Sequence, residues 1–195
     1  MKVQSSTIEN KYLRVKSINI GACLYEVYDK KKKINLILNL GLTKNYISKN
    51  LYVGATCGRY AGRISNSKFN IKNKIYKLSG NEGKNTLHGG KKGFDRLEWK
   101  INHHSKNKIV YQLLSKNLDQ GFPGDLNSEC IFEIKNKSLF IKYQYKSNQL
   151  THVSLTNHSY WNLNKNKNET IFNHDLKINS EKYLEVNNKL IPTGK

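Results

Sequence analysis

The apolar residues of this chain come in short runs of period two, broken by polar turn residues. That spacing limits what it can fold into more than any other feature. Leu13 to Tyr28 mixes apolar and polar positions around Gly21 and reads as strand, bend, strand. Ile34 to Leu40 is a short apolar strand, and Phe69–Lys72 and Ile75–Leu78 flank Asn73-Lys74 as a hairpin. Leu97–Ile101, Ile109–Leu114, Cys130–Ile134 and Leu139–Tyr145 continue the pattern. In the last of these, Leu139, Ile141, Tyr143 and Tyr145 face opposite to Phe140, Lys142, Gln144 and Lys146. Val153–Leu155 and Leu176–Ile178 add two short strands, Leu42–Leu51 suits a helical turn or two, and Asn162–Glu169 reads as a loop. No internal repeat or long amphipathic helix appears. The pattern predicts an all-β fold, an antiparallel β-sandwich or barrel, with residues 1–195 forming one domain.

Composition narrows the class. Only 37% of the 195 residues are hydrophobic, but 12 Tyr, 6 Phe and 2 Trp are spread along the chain, enough for a core and too many for a disordered tail. No apolar run approaches the roughly 20 residues of a membrane helix, and the N-terminus lacks a signal-peptide core. The expectation is a soluble, unexported, cytoplasmic protein with no membrane partner. The net charge of +20 points toward nucleic acid, yet only Arg14, Arg59, Arg63 and Arg96 are arginines. Base and phosphate readers favour the planar Arg fork. The lysines are scattered and accompanied by many Asn, as in Asn162 to Asn168, which fits an AT-rich coding bias on a solvated surface. No nucleic-acid partner is expected. Cys23, Cys57 and Cys130 are odd in number and have no metal-ligand spacing, so three buried free thiols are expected.

Four segments carry more Gly, Arg, His and Pro than strands require. Gly58-Arg59-Tyr60-Ala61-Gly62-Arg63-Ile64 brackets two arginines with glycine; it either binds anions or hydroxyls, or staples a loop to a sheet. Asn85-Thr86-Leu87-His88-Gly89-Gly90 leaves an imidazole with little cover, as a ligand site or as a turn that contains His. Gly121-Phe122-Pro123-Gly124-Asp125-Leu126 is turn chemistry. Leu155-Thr156-Asn157-His158-Ser159-Tyr160-Trp161-Asn162-Leu163 gathers an imidazole, amides, hydroxyls and aromatic rings. Such a set suits a sugar, whose hydroxyls take directional hydrogen bonds and whose apolar face stacks on rings, with His as a general acid. No nucleophile elbow, P-loop, dinucleotide fingerprint or carboxylate dyad is present.

In this order, GATCGRYAGRI, NTLHGGKKGFDRLEW, GFPGDL, TNHSYWNL and the terminal LIPTG resemble the aldose 1-epimerase (galactose mutarotase) family. The resemblance runs from about Gly54 to Gly194. It implies a large antiparallel β-sandwich, the galactose mutarotase-like supersandwich. It also implies interconversion of the α and β anomers of aldohexoses such as galactose and glucose by acid–base ring opening. The implied partner is a small-molecule aldose sugar. No cofactor and no metal is required, and no oligomeric state is specified. By motif, His158 stands at the general acid, His88 contacts the sugar near its ring oxygen, and Arg63 binds sugar hydroxyls. Ser159 and Tyr160 line the pocket. Gly62 occupies a sugar-binding position where the family often has Asn, so that contact is lost or made only by backbone.

The family extends beyond LIPTG, and that further part carries a sugar-binding Asp, a Gln and the Glu that serves as general base. This sequence ends at Lys195, so the resemblance implies a sandwich lacking its C-terminal part, with weak or no activity in the isolated 195-residue chain. A second reading of the same residues is a non-catalytic carbohydrate-binding module.

Overall fold

Alternation in the first thirty residues builds the first sheet. The computed structural model describes residues 2–49 and 51–194. Strands β1 (Ser5–Glu9), β2 (Leu13–Ile18), β3 (Cys23–Asp29) and β4 (Ile34–Asn35) pair antiparallel in chain order. Strand β2 buries Leu13, Val15 and Ser17 while Arg14 points away and donates from Nε to Glu26 Oε1 at 2.8 Å. A bulge at Tyr25 shifts the β2–β3 register between Lys16 and Ser17, and Ile18 is buried in a second small cluster with Ile20, Cys23 and Ala55.

A single helical turn, α1 (Asn45–Ser48), lies within the stretch expected to be helical. Two short strands follow, β5 (Thr56–Cys57) and β6 (Arg63–Ile64), and then the hairpin of β7 (Lys68–Ile71) and β8 (Lys74–Lys77). Ile71 pairs with Lys74, so the turn is Lys72-Asn73, one residue earlier than the sequence suggests. Strand β9 (Thr86–Leu87) pairs with β6. The second large sheet comprises β10 (Lys100–His104), β11 (Lys108–Ser115), β12 (Leu126–Lys135) and β13 (Ser138–Ser147), again antiparallel in chain order. The last strand, β14 (Thr156–Asn157), pairs with β5.

The two large sheets share one core. Ile8, Val15, Leu24 and Val27 come from the first; Ile109, Tyr111, Leu126, Cys130, Phe132 and Ile134 come from the second. Phe94 and Trp99 join it, with Trp99 Nε1 donating to the Phe94 carbonyl at 3.0 Å. The buried Tyr111 hydroxyl is satisfied by a 2.8 Å hydrogen bond with Ser17 Oγ across the sheets. The architecture is an antiparallel β-sandwich, as the strand pattern and the resemblance predict. Cys23, Cys57 and Cys130 are all buried and free. No helix among the described residues is long and apolar enough to cross a membrane.

Four strand expectations change. The apolar run at Ile34 pairs only as far as Asn35, and beyond it Ile37 meets Trp161 in an isolated bridge. Residues Phe94–Arg96 form a 3-10 turn, so the strand expected from Leu97 begins at Lys100. Val153–Leu155 contributes only a bridge from Ser154 to Tyr60. Leu176 and Ile178 are 85% and 70% exposed and pair with nothing regular. Strand β1 was not expected, because Ile8 is its one strongly apolar residue.

Candidate functional site

Two short ladders bring the His-bearing segments together. In the first, Thr156 pairs with Cys57 and Asn157 with Thr56. The pairing continues past the strand: His158 N donates to the Ala55 carbonyl and the His158 carbonyl accepts from Gly54 N, both at 2.9 Å. Asn157 spans the bend, its Nδ2 donating to the Gly54 carbonyl at 3.0 Å and its Oδ1 accepting from Ser159 N at 3.2 Å. Tyr160 is fixed next to them by its carbonyl, which accepts from Leu38 N at 2.9 Å.

In the second ladder, Arg63 pairs with Leu87 and Ile64 with Thr86. His88 N donates to the Gly62 carbonyl at 3.0 Å, and Gly62 N returns a bond to the imidazole at Nδ1, 3.1 Å away. His88 adopts φ +50 and Gly89 φ +92. A Cβ on Gly89 would run into the Gly58 carbonyl oxygen, so this turn requires glycine.

Both ladders deliver their imidazoles to one place. The rings of His88 and His158 stand edge to face with centroids 5.2 Å apart. Tyr52 lies 4.8 Å from His88 and 6.0 Å from His158, and Tyr160 lies 5.1 Å from His158 on the outside of the cluster. Burial pushes the His88 pKa down to about 4, helped by the charges of His158 and Arg63. His88 is therefore neutral at pH 7. Because the Gly62 amide occupies Nδ1 as an acceptor, the ring proton sits on Nε2, which makes that atom a hydrogen-bond donor.

Arg63 lies next to this pair. Its Nε and Nη2 donate to Glu82 Oε2 and Oε1 at 2.6 and 2.7 Å, a bidentate pairing that lowers the Glu82 pKa and raises that of Arg63. With Tyr60, Phe69, His152 and Pro192, Arg63 also lines an open cleft of about 300 Å³. The Ser159 hydroxyl is buried and has no hydrogen-bond partner among the described residues.

The six residues singled out from the sequence thus fall into one neighbourhood, with His158, Ser159 and Tyr160 on one ladder and Gly62, Arg63 and His88 on the other. Arg59 does not join them. It is 2% exposed, and its two Nη atoms donate to Ser115 Oγ and to the carbonyls of Ser115, Lys116, Pro123 and Gly124, so it staples the Phe-Pro-Gly-Asp turn to the sheet. Tyr52 is the residue that the sequence reading missed. It lies in a loop with no periodic pattern, and its φ of +54 is visible only in three dimensions. Among the described residues, no group of three or more His, Cys, Asp or Glu is placed to hold a metal ion.

Comparison with known proteins identifies the family. The sequence profile described as aldose 1-epimerase matches residues 4–195. The galactose mutarotase of Sus scrofa is 35% identical over 195 residues, covering 98% of this chain and 57% of that protein. The aldose 1-epimerase of Haemophilus influenzae is 35% identical over 198 residues, with the same two coverages. The chain thus spans somewhat over half the length of these relatives. Among solved structures, an aldose epimerase homologue from C. elegans superposes with a TM-score of 0.92 at 28% identity, over 100% of this chain and 61% of its own. A galactose 1-epimerase from Lactobacillus acidophilus superposes with a TM-score of 0.74 at 28% identity, over 84% of this chain and 54% of its own. With its profile match, its relatives and its sandwich in agreement, the chain belongs to the aldose 1-epimerase family.

Proposed function

We propose that the protein carrying this chain interconverts the α and β anomers of aldohexoses such as galactose and glucose. The observation that carries the reading is the imidazole pair, His88 and His158, brought within 5.2 Å from two distant sequence segments and walled by Tyr52 and Tyr160. His158 is the general acid. It gives a proton to the ring oxygen as the bond from that oxygen to the anomeric carbon breaks, while a base takes the proton of the anomeric hydroxyl. The product is the open-chain aldehyde. Rotation about the bond between the anomeric carbon and its neighbour, then the reverse proton transfers, closes the ring on its other face. The proton balance returns to its start, and no electrons are exchanged.

His88 supports this step as a neutral donor, with Nε2–H directed to a sugar oxygen, because burial keeps it uncharged at neutral pH. Arg63 binds hydroxyls, Tyr160 covers the apolar face of the ring, and Ser159 lies between His158 and Tyr160 with its hydroxyl buried. Gly62 contributes backbone only. The carboxylate whose charge reaches His88 is Glu82, and both its oxygens are held by Arg63. The reading therefore assigns Glu82 to the binding side and the base to a group outside this cluster.

Polarimetry on freshly dissolved α-D-galactose tests the reading. The protein should speed the approach to anomeric equilibrium, and His158→Ala should lower that rate by about 10²–10⁴-fold. A His158→Ala rate equal to that of the parent overturns the assignment. Saturable galactose binding without faster anomer exchange would favour the carbohydrate-binding module instead.

A further inference from the structure

We propose that Glu82 is a positioning residue: it clamps Arg63 by its Nε–Nη2 edge, so that the guanidinium turns its Nη1 donors toward the sugar. The inference rests on the reading of Arg63 as a hydroxyl-binding residue. A flexible arginine loses rotamer freedom whenever it binds a ligand, and a fixed one has already lost it. Here both carboxylate oxygens meet Nε and Nη2 at 2.6 and 2.7 Å, which fixes the plane of the guanidinium and the direction of the nitrogen that remains.

The clamp is itself anchored to the His88 segment. Glu82 and Asn85 exchange backbone hydrogen bonds at 3.1 and 2.9 Å. The neighbouring Asn81 accepts from Leu87 N at 2.7 Å and donates to the carbonyls of Leu87 and Gly90 at 3.0 and 3.2 Å. Arg63 pairs with Leu87 in the ladder. Main chain and side chain of Arg63 are therefore tied to the same short segment that presents the imidazole, so Arg63 and His88 keep a fixed relation. Stability alone does not explain the pair. Both side chains are partly exposed, at 23% and 36%, and ion pairs in such positions add little to folding. The pairing also cancels the charge of Arg63, which suits a neutral polyhydroxy ligand.

The test measures galactose mutarotation in the protein with Glu82→Gln, Glu82→Asp, Arg63→Ala and the double variant Arg63→Ala/Glu82→Gln. The expected result for Glu82→Gln is a KM raised about tenfold with kcat within about twofold. Glu82→Asp, which keeps the charge, should recover part of that loss. In the Arg63→Ala background, Glu82→Gln should change nothing further. An unchanged KM in Glu82→Gln, or an equal loss with Arg63 absent, overturns the proposal. A second readout separates it from the proposed activity. The Arg63 Nε–H resonance should be slow to exchange in the parent and exposed to rapid exchange in Glu82→Gln, whether or not sugar is turned over. Rapid exchange in the parent overturns the clamp. Slow exchange in a parent that neither binds nor converts galactose supports the clamp and removes the proposed function.

Discussion

Arg59 and Arg63 stand four positions apart in one glycine-bracketed segment, and only their surroundings separate their work. Arg59 is sealed among carbonyl oxygens, and burial pulls its pKa down to about 10. Arg63 keeps one edge for Glu82 and another beside an open cleft. The sequence showed that the segment was unusual and left both readings open, since nothing in the local residue pattern says which arginine points inward. His88 carries a sharper consequence. Its pKa lies below the ordinary histidine value, so the neutral form is favoured by folding. Its contribution to stability is complete above the unfolded value of about 6.5 and is lost as pH falls through about 4. In a histidine NMR titration, His88 should stay neutral to below pH 5 with Nδ1 as the unprotonated nitrogen. A midpoint near 6.5 would contradict the burial of the ring, and a proton on Nδ1 would contradict the Gly62 hydrogen bond. His88 was legible as an imidazole between turn residues, and His158, Ser159 and Tyr160 as a polar and aromatic cluster where a core strand would carry Val and Ile; their roles came from the family resemblance. Tyr52 was not, since a single tyrosine in a loop carries no such signal.

Short elements do the positioning. The ladders β5–β14 and β6–β9 contain two residues per strand, too few for any periodicity, yet they fix both imidazoles through backbone bonds. Sequence patterns reveal strands that alternate over several residues, which is why β11, β12 and β13 were readable and the two-residue ladders were not. The opposite error appears at Leu176–Ile178, which is apolar enough to suggest a strand but is exposed. The glycines flanking His88 give an element-scale prediction. Gly89→Ala places a Cβ against the Gly58 carbonyl oxygen at φ +92 and should destabilise the fold by about 3 kcal/mol or more. Gly62 has φ +85, but nothing lies within 4 Å of the point a Cβ would occupy, so Gly62→Ala should cost only the backbone strain of about 1–2 kcal/mol. Thermal unfolding of the two variants should separate them clearly. Equal losses would mean that the close approach of the two loops is wrong.

At the scale of the molecule, the sandwich was the most legible feature, because two four-stranded sheets must each bury one face and alternate polar residues on the other. The same core encloses a liability. Asp95 is 9% exposed, its Oδ1 has no hydrogen-bond partner among the described residues, and Arg96 Nε stands 3.8 Å from Oδ2. Burial raises its pKa to about 6. The folded value exceeds the unfolded value, so the stability linked to Asp95 is full below about pH 4 and is lost as pH rises through about 6. Asp95→Asn removes that titration. At pH 8 it should be more stable than the parent by on the order of 2 kcal/mol, a rise in Tm of several degrees, and the difference should close by pH 4. A pH-independent difference would contradict the buried carboxylate.

The central proposal is that this sandwich places His88 and His158 to open and close an aldose ring. Exchange NMR on galactose at anomeric equilibrium is the sharpest probe of that role, because it reports interconversion without any net reaction. With the protein carrying this chain, cross-peaks between the α and β anomeric protons should grow with enzyme concentration and vanish on His158→Ala, while the variant keeps the parent's fold. A folded parent protein that leaves the exchange rate at that of buffer would contradict the role given to the histidine pair.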